Sequence, residues 1–276
     1  MFRTGTLLAA LALVAMLAAP AVAQDEKPDW AALLAKKAAN VVSIKFVFNV
    51  KVMVNGQVMQ DAEQNSEIRA TLINDKGLVM AANSQFFPKV NNPRFQVEFG
   101  QPRNLKVLFG TEEKEYDAQI VAKDTKLDLI FLQIMNLEGR EIAFANLAVE
   151  NEPAIGQDLF TVSRLSRGFD NAPVLGRLSV TGAVEKPRRM WAISGNLGGP
   201  GMPIYGLDGE VVGVISMQTG SEGVAGRQAE PRPFVLPLKT LKAQLKMAEE
   251  RATKALEKAA EEAEDAAEDA AEEGDG

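Results

Sequence analysis

The chain has 276 residues, 46% of them apolar and 24% charged, which is enough apolar material for one large core or two modest ones and excludes disorder throughout. It contains no cysteine and no histidine, so disulfides, thiolate catalysis and the usual zinc ligand sets are excluded, and the commonest general base at neutral pH is missing. Twelve acidic against three basic residues from Glu249 onward more than account for the formal charge of -7; no basic stripe with interleaved aromatics occurs elsewhere, so nucleic acid is not an expected partner.

Along the chain, Arg3 is followed by an apolar run from Leu7 to Ala19, then Pro20 and Ala21-Val22-Ala23 before the polar Gln24-Asp25-Glu26. This order of basic, apolar and small residues predicts a secretory signal over 1–23, cleaved after Ala23. The run is shorter than the roughly 20 residues that span a bilayer, so no stable membrane insertion is expected after cleavage. The mature protein is expected in a bacterial periplasm or outside the cell. Segment 24–40 reads as a linker and short helix over 30–39, capped by Asp29, whose side chain can accept from the free amides of the first turn.

The period then changes. Segment 41–54 is rich in valine, isoleucine and phenylalanine, and Asn55-Gly56 supplies the positive φ angles of a tight hairpin before Gln57. Further strands are predicted over 68–73, 78–82, 94–99, 105–109, 116–122 and 127–135, and a second group over 158–162, 174–184, 190–194, 210–217 and 233–236. Many short strands with regular turn signals and no long helix between them predict an all-β fold of antiparallel barrels or sandwiches. The two clusters are assigned to two barrels, 41–137 and 138–237. Over 238–276 the pattern turns helical: Leu238, Leu241, Leu245, Ala248, Ala252, Ala255 and Ala259 recur at steps of three and four. The stripe suits an oligomer or partner contact, but it shrinks to alanine after Leu256, so a solvated helix fraying into an acidic disordered end over 261–276 is expected.

Four segments in order carry a resemblance. They are Thr71-Leu72-Ile73-Asn74-Asp75-Lys76-Gly77-Leu78-Val79-Met80-Ala81-Ala82-Asn83-Ser84; Tyr116 to Asp124 with Leu127-Asp128-Leu129-Ile130; Gly195-Asn196-Leu197-Gly198-Gly199-Pro200 with Leu207-Asp208-Gly209-Glu210-Val211-Val212-Gly213; and Phe234-Val235-Leu236-Pro237. Together these resemble the trypsin-like protease domain of the HtrA (Deg) family. The resemblance implies two antiparallel six-stranded β-barrels, and it places the family's catalytic histidine at or beside Ser84, its aspartate at Asp128 and its serine at Leu197. Only the aspartate remains. Ser84 cannot accept a proton at neutral pH and Leu197 has no nucleophilic atom, so peptide hydrolysis by the usual route is not expected.

An unorthodox site is the remaining enzymatic alternative, with Ser194 as nucleophile, Lys186 or Lys89 as base, and an oxyanion-hole-like pair of amides at Gly195 and Leu197. Asp128 is more simply read as a structural carboxylate accepting from Ser84 or from loop amides. The expected function is that of an inactive protease homologue binding a peptide or protein ligand along Val214-Ile215-Ser216-Met217, the strand that receives extended substrate in the related enzymes. The second alternative is an inert scaffold recruiting a partner through its C-terminal helix. No cofactor and no metal are expected.

Overall fold

The computed structural model describes residues 28–88, 90, 92, 94–148, 151–219 and 231–273, with side chains described as far as 266. The predicted signal over 1–23 and the candidate base Lys89 lie outside the described residues.

Helix α1 (Trp30–Ala38) starts where expected: the Asp29 carboxylate accepts from the amides of Ala31 and Ala32 at 3.1 and 3.0 Å. It is followed by β1 (Val41–Val54) and β2 (Gln57–Leu72), joined through Asn55 and Gly56 at φ of 51° and 80°. Val54 pairs with Gln57, so the loop has two residues and its twist suits the hairpin. The structure corrects the sequence reading here, because the polar stretch between the strands predicted at 57 and 68 is itself strand. Gln60 to Glu67 pair with β1 along its length and face largely outward, so their polarity is compatible with a ladder whose hydrogen bonds β1 supplies.

The first barrel continues with β3 (Leu78–Ala82), the single helical turn α2 (Asn83–Phe86), β4 (Gln96–Phe99), β5 (Arg103–Phe109), β6 (Tyr116–Asp124) and β7 (Leu129–Ile134). Strands β2-β3-β7-β6-β5-β1 form a ring that the β1–β2 hairpin closes, and β4 is a seventh strand added to β1 at Val50–Met53. The second barrel is a closed ring of six, β10-β13-β12-β11-β8-β9. These strands are β8 (Asp158–Arg164), β9 (Pro173–Val184), β10 (Met190–Gly195), β11 (Pro203–Tyr205), β12 (Val211–Gln218) and β13 (Arg232–Pro237). The fold is therefore the expected pair of antiparallel six-stranded barrels. Only β11 has no counterpart among the predicted strands; three residues, the first of them proline, between Gly201 and Gly206 give too short a pattern to read.

Strands β3 and β7 explain why the sequence is continuously apolar there. Val79, Ala81, Ile130 and Leu132 fill the first barrel, while the alternate residues Leu78, Met80, Leu129 and Phe131 point the other way, into a cluster shared with Phe160, Met202, Tyr205 and Leu236 of the second. Both faces are buried, so the alternation that marks a half-exposed strand disappears.

Helix α3 (Leu238–Glu273) corrects the sequence reading twice. It remains helical well past residue 261, in keeping with the high helix propensity of its alanines and glutamates. Nor is it solvated along its first half: Leu238, Leu241, Ala248 and Ala252 are buried against the body, with contacts to β6, β7, β12 and β13. The stripe that reads as a seam for another helix packs on the chain's own barrels.

Candidate functional site

The turn between β6 and β7 is built by Asp124, whose carboxylate accepts from the amides of Lys126 and Leu127, both at 2.9 Å. This presents Asp128, at φ 57° and 7% exposed, to the start of α2. Its carbonyl accepts from the Asn83 amide at 3.1 Å, and its carboxylate takes two bonds from Ser84: the amide to Oδ1 at 2.7 Å and the hydroxyl to Oδ2 at 2.8 Å. The structure thus brings the resemblance's histidine and aspartate positions together. The contact is one in which a serine hydroxyl donates to the carboxylate; its oxygen keeps lone pairs that can accept a hydrogen bond, but they are too weakly basic to take a proton from a nucleophile at neutral pH.

Residues 195–201 close the other side. The Asn196 amide donates to the Arg177 carbonyl at 3.0 Å, and the Gly199 amide to the Leu197 carbonyl at 2.7 Å. Gly201, at φ 80°, touches the first barrel: a Cβ there would lie 2.5 Å from the Ala82 nitrogen and 2.8 Å from the Ala81 carbon, a contact only glycine allows. The loop therefore abuts the strand that leads into Ser84. Leu197 is half-buried and packs on the apolar cluster shared by the two barrels.

The unorthodox alternative finds little geometry to work with. Ser194 is exposed on β10, and its hydroxyl lies 3.5 Å from that of Ser179, which is not a base. Lys186 sits in the hairpin turn beyond the Val184–Met190 pair, so at least four residues of strand, about 13 Å, separate it from Ser194. Among the described residues, no group of three or more histidine, cysteine, aspartate or glutamate side chains is placed to hold a metal.

The four predicted groove residues divide. Val214, Ile215 and Ser216 are buried. Ile215 is bonded through its amide to the Met202 carbonyl and through its carbonyl to the Gly201 amide, at 2.9 and 2.8 Å. The Ser216 hydroxyl donates to the Leu127 carbonyl at 2.7 Å, tying β12 to the Asp128 turn. Gln218 reinforces the tie through the Lys126 carbonyl and the Ser216 hydroxyl; neither role is legible in the sequence. Met217 and Gln218 are half-exposed. Main-chain groups alternate sides along a strand, so those of Met217 point the same way as those of Ile215, past the end of the β11 pairing at Val214. Among the described residues nothing pairs with that edge.

Solved structures of similar fold include Deg5 (17% identity, TM-score 0.50, covering 77% of this chain and 90% of that one). The protease domain of MamO from Magnetospirillum magneticum in its apo form has 15% identity, a TM-score of 0.47, and coverage of 76% and 97%. An inactive serine-to-alanine mutant of Rv3671c from M. tuberculosis has 19% identity, a TM-score of 0.46, and coverage of 79% and 93%. No curated protein matches the sequence. Residues 69–214, more than half of the chain, match the profile of the trypsin-like peptidase domain, and the chain belongs to that family.

Proposed function

We propose that this protein is an exported, catalytically inactive trypsin-like homologue that binds extended peptides along β12 at Met217. The observation that carries the reading is the Ser84–Asp128 pair, taken with leucine at 197: a hydroxyl donor stands where the resemblance expects a proton acceptor, and an isobutyl group where it expects the attacking oxygen. Losing either group alone costs a serine protease on the order of a millionfold in turnover. Peptide capture needs neither, because an added strand binds through main-chain hydrogen bonds, and among the described residues nothing pairs with the Met217 amide and carbonyl on the β11 side. The order of basic, apolar and small residues over 1–23 supports export.

The test is anisotropy with a set of fluorescent extended peptides on the full chain, with chromatography of the peptides afterwards. Binding without cleavage is expected. Met217→Pro removes the outward amide while leaving the β13 ladder, made by Ser216 and Gln218, in place, so it should weaken binding at least tenfold with the melting temperature little changed. Cleavage by chain freed of contaminating peptidases, or unchanged affinity in the proline variant, overturns the proposal.

A further inference from the structure

We propose that the cleft at Arg164, between the two barrels, is a binding site for a single carboxylate, carried by a small monocarboxylic acid or by the free end of a peptide chain. Arg164 closes β8 and is half-buried, reaching back across the barrel junction. Three of its five N–H donors are engaged: Nε on the Val41 carbonyl at 3.3 Å, Nη1 on that of Asn171 at 3.1 Å, and Nη2 on that of Ala38 at 2.9 Å. One N–H remains on each terminal nitrogen. Among the described residues no carboxylate forms an ion pair with this guanidinium. Its charged neighbour Arg69 is committed elsewhere, to Glu67, Ser43, the Asn171 side chain and the carbonyls of Arg164 and Leu165. Burial, and secondarily the Arg69 charge, pulls the Arg164 pKa below its usual value. An anion here would relieve both penalties.

The cleft beside it measures about 330 Å³. Gly110 leaves the guanidinium uncovered, since a Cβ there would sit 3.5 Å from Nη2. Arg140, the other cation in the wall, is neutralised by two bonds to Glu112 at 2.5 and 2.6 Å and lies over the Phe109 ring at 4.1 Å. Arg164 is thus the wall's uncompensated positive charge, and two open N–H groups on a planar fork match the two oxygens of a carboxylate. The exposed Glu141, in the same wall without an ion pair to Arg164, disfavours a second negative charge on the ligand. Phe109, Ile142 and Ala143 give an aliphatic group apolar surface to lie on.

The test is a titration of arginine-labelled full chain, following side-chain ¹⁵N–H resonances with sodium propionate against sodium chloride at constant ionic strength. A parallel arm uses a short peptide with a free or an amidated C-terminus. The Arg164 resonance, assigned through Arg164→Lys, should shift saturably with propionate, with the free-ended peptide, or with both, and so identify the source of the carboxylate. It should not shift with chloride or with the amide. Should Arg164→Lys fail to fold, Ala143→Glu, at an exposed position, supplies a carboxylate from the wall and should abolish the shift in a folded chain. Absence of any saturable shift, or unchanged affinity in Ala143→Glu, overturns the proposal.

Discussion

At the scale of single residues, Asp128 shows how a buried carboxylate is accommodated by neutral donors: its two oxygens accept from the amide and the hydroxyl of one serine, so burial leaves it bonded. Ser84→Ala removes the hydroxyl bond and keeps the amide bond. The expected loss of stability is therefore modest, about 1–2 kcal/mol by urea denaturation, and a loss within error would mean that the hydroxyl bond contributes nothing. Tyr205 offers a pH test. Burial pushes its hydroxyl up to about 12, against a smaller lowering by Asn40. Above pH 10 the unfolded chain releases this proton while the folded chain holds it. The raised pKa therefore favours unfolding, and this contribution is felt as pH rises from about 10 to about 12. Absorbance titration should show one of the two tyrosines ionising late, with stability falling across that window; Tyr205→Phe should flatten the fall.

At the scale of elements, what the sequence discloses depends on how many faces an element buries. β1 and the hairpin at Asn55-Gly56 are readable because turn chemistry and composition agree. The middle of β2 is not, because an exposed edge strand has no apolar face to betray it. The meeting of Ser84 with Asp128 is anticipated by motif order, but the tie from Ser216 to the Asp128 turn is not, since a serine in an apolar run carries no sign of its acceptor. Helix α3 hides its role in the same way: its stripe suits a partner helix and its own barrel equally well, and only the fold decides. Its first half is structural, with Leu241 fully buried and Gln244 bonded to Asp124 at 3.1 Å. Truncation after Leu256 should leave the melting temperature within about 2 °C of the full chain, whereas Leu241→Ala should cost about 2–4 kcal/mol. If the short truncation melts much earlier, the acidic half also contributes to the packing. That truncation, which keeps the packed half of α3, also tests whether the tail recruits a partner.

At the scale of the whole molecule, the question is what holds the barrels in one orientation. Two arginines reach across in opposite directions: Arg69 of β2 onto the Arg164 and Leu165 carbonyls, and Arg164 of β8 onto the Ala38 and Val41 carbonyls. Beneath them runs the apolar seam in which Leu78, Met80, Leu129 and Phe131 meet Phe160, Met202 and Tyr205. Arg69→Met strips several charge-assisted bonds and leaves carbonyls and Glu67 without their donor, a loss of about 3 kcal/mol. The seam is far larger in aggregate, since each fully buried large apolar side chain contributes about 1.5–3 kcal/mol. Cooperativity should therefore survive the substitution even as the midpoint falls. Trp30, against Phe160, and Trp191, in the second barrel, report that half by fluorescence, while far-ultraviolet circular dichroism reports both. The two curves should coincide in Arg69→Met as in the parent chain. A fluorescence transition that separates from the dichroism would assign the coupling of the barrels to the arginine latch, and the seam would then be only a surface over which they slide.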